Sequence, residues 1–167
     1  MENQTKIKVG SKLVDGGTVY LVTKIAIEKV LDKSEKVLYY KPFYKNVNNA
    51  GLYCSIPERN LSVANIRMPL TKEEIDELFS VLATGVKEKT ELEVDEALNI
   101  LSLNKTLEIA YVIKKYSKEK AKKGTDFGKT KNDLLEKAFA LITEEVALVT
   151  KTSPEDAKNK LSSAMNL

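Results

Sequence analysis

Arg67-Met68-Pro69-Leu70-Thr71-Lys72-Glu73-Glu74-Ile75 is the stretch at which the chain changes its hydrophobic period. Thr71, followed three residues later by Glu74, has the pattern of a capping box, in which each side chain accepts the other residue's orphan backbone N–H. Behind it Ile75, Leu78, Phe79 and Leu82 recur at the spacing of one helix face, and Gly85 is the natural stop. Ahead of it the runs over residues 18–28, 36–40 and 52–57 are rich in β-branched and aromatic side chains. Gly10-Ser11, Asp15-Gly16-Gly17, Asp32-Lys33-Ser34 and the Asn/Gly-rich segment 46–51 separate these runs with turn-forming residues. The expected fold class is therefore α+β multidomain: a small, closed or nearly closed antiparallel β-barrel over residues 1–70, then an all-α bundle of about five helices over 71–167.

The remaining helices follow from the same signals. A second is expected over about 91–103, with an acidic first turn that suits a helix N-terminus. Asn104 precedes a third, with Leu107, Ala110, Tyr111 and Ile113 facing inward, which runs to a capping Gly124. A fourth covers about 130–149, with Leu134, Leu135, Ala138, Leu141, Ile142, Glu145 and Leu148 in helical spacing. Ser153 and Pro154 open a short fifth.

Composition narrows the chemistry. There is no histidine, which removes the commonest general base at neutral pH, and one cysteine, Cys54, which with no histidine excludes the ordinary zinc sites. No cofactor, no metal and no small-molecule substrate are expected, and the chain is not read as an enzyme. No apolar run approaches the roughly 20 residues of a membrane span, and the polar residues 1–9 lack the apolar core of a secretory signal. Cytoplasmic location without a membrane partner is the expectation. Gly124-Thr125-Asp126-Phe127-Gly128-Lys129-Thr130 has the outline of a phosphate-cradling P-loop but is one residue short between its glycines and follows a helix rather than a strand.

Charge is unevenly placed. Residues 1–70 carry 11 basic and 6 acidic side chains, 71–100 carry 3 and 9, and 101–167 carry 13 and 9. The densest positive segment is Lys114, Lys115, Lys118, Lys120, Lys122, Lys123, Lys129 and Lys131, opposed only by Glu119 and Asp126. On a helix Lys115, Lys118 and Lys122, with Lys129 and Lys131 just past the turn, are expected to share a broad face that meets phosphates without reading sequence. Lys123 and Lys137 extend this set. Tyr111, Tyr116 and Phe127 lie close to it in the sequence, Tyr111 being the better candidate for the core.

Read in order, these segments resemble the CarD/CdnL family of bacterial transcription regulators over nearly the whole chain. At the N-terminus, Ile7-Lys8-Val9-Gly10-Ser11-Lys12-Leu13-Val14 is similar to the family's opening strand and turn, and Leu38-Tyr39-Tyr40, Ile56-Pro57 and Ile66-Arg67 match its later strands and the exit from its barrel. In the second half Leu98-Asn99-Ile100-Leu101-Ser102, the run over 107–116, the run over 134–148 and Ser153-Pro154-Glu155-Asp156-Ala157 resemble its helical domain in order and spacing.

The resemblance implies a Tudor-like (SH3-like) barrel that binds the β subunit of RNA polymerase by extending a sheet edge, and a helical domain that contacts double-stranded promoter DNA at the upstream edge of the open bubble. It also implies a nucleoid-associated protein that stabilises the open complex. The family's basic polymerase-contacting residue falls at Ser55, beside Ile56, with Lys24, Lys29 and Arg59 as substitutes. The family's groove-wedging tryptophan has no counterpart, because the chain lacks Trp and the matching stretch is Thr90-Glu91-Leu92-Glu93-Val94-Asp95. DNA contact is thereby transferred to Lys115, Lys118, Lys122, Lys123, Lys129, Lys131 and Lys137. Two other readings stay open: a polymerase-bound adaptor whose helical domain holds another protein, and a barrel that binds single-stranded nucleic acid or translation machinery without polymerase.

Overall fold

The N-terminal strands are organised by two tight hairpins. Gly16 and Gly17 adopt φ of 54° and 87°, the left-handed pair that a two-residue hairpin turn requires, and they connect β1 (Lys12–Asp15) to β2 (Thr18–Val30). β2 returns into β3 (Lys33–Pro42) through Leu31 and Asp32, at φ of 48° and 64°. The turn thus sits one residue earlier than Asp32-Lys33-Ser34, because strand pairing runs as far as Val30 with Lys33. The computed structural model describes residues 6–84 and 91–165, with only the backbone of Val30; Gly85, the expected helix stop, lies outside the described residues.

Two compact units result, Met1–Pro69 and Leu70–Leu167. In the first, the antiparallel strands are ordered β1-β2-β3-β4, the last being Cys54–Pro57. A register shift between Val22 and Lys24 marks a bulge in β2, a feature that bends a strand and raises its twist. The sheet curls around Leu13, Tyr20, Val22, Leu38, Tyr40 and Ile66, with Ile25, Cys54 and Ile56 packed against them. The closed or nearly closed barrel expected from the turns is formed in part. The sheet is an open half-barrel: a one-residue bridge from Val14 to Arg67 extends it beyond β1, whereas β4 pairs only with β3 among the described residues.

The second unit is five helices: α1 (Lys72–Ala83), α2 (Val94–Leu103), α3 (Thr106–Lys123), α4 (Lys129–Thr150) and α5 (Pro154–Ser163). Both halves of the Thr71/Glu74 capping box form, and Ser153 caps α5 with Pro154 in the first turn. α2 starts at Val94, later than the expected 91, although Leu92 just ahead of it is buried. Asn104 ends α2 in the left-handed region, and Gly124, at φ 55°, ends α3. α3 packs against α1, α2 and α4, and α4 also against α5. The inward face of α3 is Ile109, Ala110, Val112, Ile113 and Tyr116; Leu107 and Tyr111, expected inside, are half-buried. Glu145, wholly buried on α4, accepts the backbone N–H of Leu70 at 2.8 Å and the Thr106 hydroxyl at 3.4 Å, tying the approach to α1 and the start of α3 to one carboxylate.

Candidate nucleic-acid interface

The lysine segment folds as the last three turns of α3, a short 3-10 turn (Gly124–Phe127) and the first turns of α4. The turn is fixed by Phe127, buried with its ring 5.8 Å from that of Tyr116 in an edge-on contact. Burial, chiefly, pushes the Tyr116 hydroxyl up to about 12, so it stays neutral. The Gly124 to Thr130 motif therefore follows α3, with its one aromatic turned into the core.

α4 opens on a basic residue. Its N-cap is Gly128, with no side-chain capping bond, its first turn holds no acid, and its first residue is Lys129. Cations oppose the partial positive charge of a helix N-terminus, whereas anions are stabilised there by orphan N–H groups. Lys131 Nζ reaches back 2.7 Å to Glu119 of α3, and Lys120 donates to Asn132 at 2.6 Å, which holds the start of α4 alongside the end of α3.

The expected face splits into two groups. Lys118, Lys122, Lys129 and Lys137 are exposed, and none makes an ion pair among the described residues. Lys118 and Lys122 are one turn apart on α3, and Lys137 lies two turns beyond Lys129 on α4. Lys115, expected on that face, is buried at 8% exposure, its ammonium 5.4 Å over the Tyr111 ring. Lys123 pairs with Glu119 at 2.9 Å and Glu91 at 3.0 Å, and Lys131 keeps only 16% of its side chain exposed, 5.5 Å over Tyr116. Lys115 and Lys131 belong to the packing of the bundle, and Lys123, though exposed, is held by two carboxylates.

Glu119 is the residue that sequence reading missed as an organiser. Burial opposes its charge, yet the bonds donated by Lys131 and Lys123 together hold its carboxyl below the usual range. Bonds to Glu119 and then Glu91 raise Lys123 in turn. Its i,i+4 spacing to Lys123 was a legible signal. Lys114 is a second case: burial, then the Lys118 ammonium, lower it, and its Nζ donates to the Val81 carbonyl at 2.6 Å.

The residues expected to meet polymerase lie on the half-barrel. Lys24, Tyr39 and Ser55 form one cross-strand row, Lys24 and Ser55 exposed and the Lys24 ammonium 4.9 Å over the Tyr39 ring. Ile56 points the other way and packs against the core, so its side chain is not part of that face. Arg59 pairs with Glu35 at 2.9 Å, and Lys29 with Asp32 at 3.0 Å beside the hairpin turn. Lys24 and Ser55 therefore share a face, while Arg59 and Lys29 are held by their own carboxylates.

Among the described residues no cluster of acidic or cysteine side chains is arranged to hold a metal ion, and no helix is long and apolar enough to cross a membrane. No family model matches the sequence, and no curated protein matches it.

Proposed function

We propose that the chain is a CarD-like, non-enzymatic regulator of bacterial transcription, acting in the cytoplasm on the nucleoid. The N-terminal unit is read as a Tudor-like module that binds the polymerase β subunit by adding a strand to the open edge of β4. Such augmentation supplies affinity through main-chain hydrogen bonds, which is why specificity does not depend on a basic residue at Ser55. The helical unit lies on promoter duplex through Lys118, Lys122 and Lys129, with Lys137 at its margin.

The observation that carries the reading is the start of α4. A first turn with no acid, no side-chain cap and an exposed lysine supports contact with an anion from outside the unit. Phosphate contact without base contact gives affinity that is insensitive to sequence and falls with salt. Held to polymerase by the other unit, the protein acts by favouring the melted promoter over the closed one, which demands differential contact with the two states. The deciding measurement is the lifetime of polymerase open complexes on a ribosomal-type promoter. A longer lifetime with the protein present is expected; an unchanged lifetime overturns the proposal.

A further inference from the structure

Residues 36–57 contain no Asp or Glu, three lysines and five of the chain's eleven Tyr and Phe residues, and half of that segment is strand, with alternate residues on the outer side of the sheet. Strand register sorts the side chains. Leu38 and Tyr40 of β3 are in the core, so Tyr39 and Lys41 take the opposite side, where Lys41 is in register with Leu21 and Leu21 with Lys12. Lys24 and Ser55 flank Tyr39 in the next row. Phe43, just past β3, is 40% exposed with the Lys12 ammonium 4.6 Å over its ring; Tyr53, just before β4, is 55% exposed and 6.2 Å from Tyr39.

This face is ordered. The Tyr53 hydroxyl shares a 2.7 Å hydrogen bond with Thr23, and the Tyr39 hydroxyl donates to Glu28, a bond that raises its pKa. The rings are thus fixed at the surface rather than folded over the core. Tyr53, the most exposed of the three, has no cation over it among the described residues.

We propose that this outer face, with Phe43, Tyr39 and Tyr53 as stacking surfaces and Lys12, Lys24 and Lys41 as phosphate contacts, binds single-stranded nucleic acid. Duplex DNA keeps its bases stacked inside and would meet only the lysines, leaving the rings in water. An acidic peptide would likewise satisfy the ammonium groups alone. A single strand presents both chemistries, bases to stack and phosphates between them, and binding of this kind tolerates any sequence. The four residue steps from Tyr39 to Phe43 cover about 13 Å at strand rise, enough for a short run of nucleotides. The face uses side chains, whereas the polymerase contact uses the backbone of the β4 edge, so the two proposals fail separately.

The test uses the full chain and fluorescein-labelled oligo(dT) of twelve nucleotides, read by anisotropy, with fold checked by circular dichroism. Saturable, salt-sensitive binding is expected. Tyr53→Ala and Phe43→Ala should each weaken it by roughly 5- to 150-fold, the range for one lost stacking partner, while Tyr53→Phe, which keeps the ring and loses the Thr23 bond, stays close to wild type. The Lys118→Glu/Lys122→Glu/Lys129→Glu variant should retain oligo(dT) binding. Absence of binding at low salt, full affinity in the Tyr53→Ala/Phe43→Ala double variant, loss of binding in the triple lysine variant, or displacement of oligo(dT) by an equimolar polyglutamate peptide would each overturn the proposal.

Discussion

Leu31 is a bulky residue in a conformation that L side chains disfavour, φ 48°, at the first position of the β2–β3 turn, and it is exposed at 87%. A left-handed residue other than Gly costs on the order of 1–2 kcal/mol, and Asn tolerates it best. Nothing in its burial offsets that cost, so the long strands on either side hold the turn in place. Leu31→Asn should therefore raise the stability of the N-terminal unit by about 0.5–1 kcal/mol, seen as a higher urea midpoint with an unchanged slope. The residue also shows why sequence reading misplaced this turn: Asp32-Lys33-Ser34 has the better turn chemistry, but pairing along the strands decides register. By contrast Gly16-Gly17 was legible at once, since turn chemistry and strand length agree there.

At the scale of elements, the capping box of α1, the left-handed Asn104 and the Ser153-Pro154 start of α5 were all readable, because each depends on residues close in sequence. The inward face of α3 was less so. Tyr111 and Leu107 are apolar and in helical spacing, yet α1, α2 and α4 surround α3 and draw Ile109, Val112 and Tyr116 inward instead. The same crowding turned Lys115 and Lys131 from surface charge into packed groups, which no local pattern announces, whereas the i,i+4 pairing of Lys123 with Glu119 was readable.

The Glu119 clamp that joins α3 to α4 has a pH signature at both ends. Its carboxyl is lowered from 4.5, so the clamp's contribution is complete above that value and is lost as pH falls through the lower folded one. Lys123 is raised from 10.5, so its share is complete below 10.5 and is lost as pH climbs past it. Glu119→Gln should flatten the acid limb of the melting temperature against pH below about 4.5 and leave the melting temperature at pH 7 lower than that of wild type. A profile identical to wild type would remove the clamp from the account.

Considered as a whole molecule, the chain offers two cationic surfaces of different build, one on each unit, and its charge map in sequence could not tell free lysines from paired ones. That distinction sets how duplex binding should respond to substitution. Replacing Lys118, Lys122 and Lys129 by Glu removes exposed ammonium groups with no ion pair among the described residues, and should weaken duplex binding about equally for unrelated sequences. The slope of log K against log salt should shrink by about 0.9 for each of these lysines that neutralises a phosphate. Lys131→Ala should behave otherwise: it breaks a contact to Glu119 that keeps α4 beside α3, so it lowers the melting temperature of the helical unit, while at temperatures where that unit stays folded the salt slope is unchanged. Titrating a random 20-base-pair duplex at several salt concentrations with both variants separates the two. If Lys131→Ala reduces the salt slope as much as a free lysine does, the division into clamp and contact is wrong, and the phosphate surface extends across the α3–α4 corner.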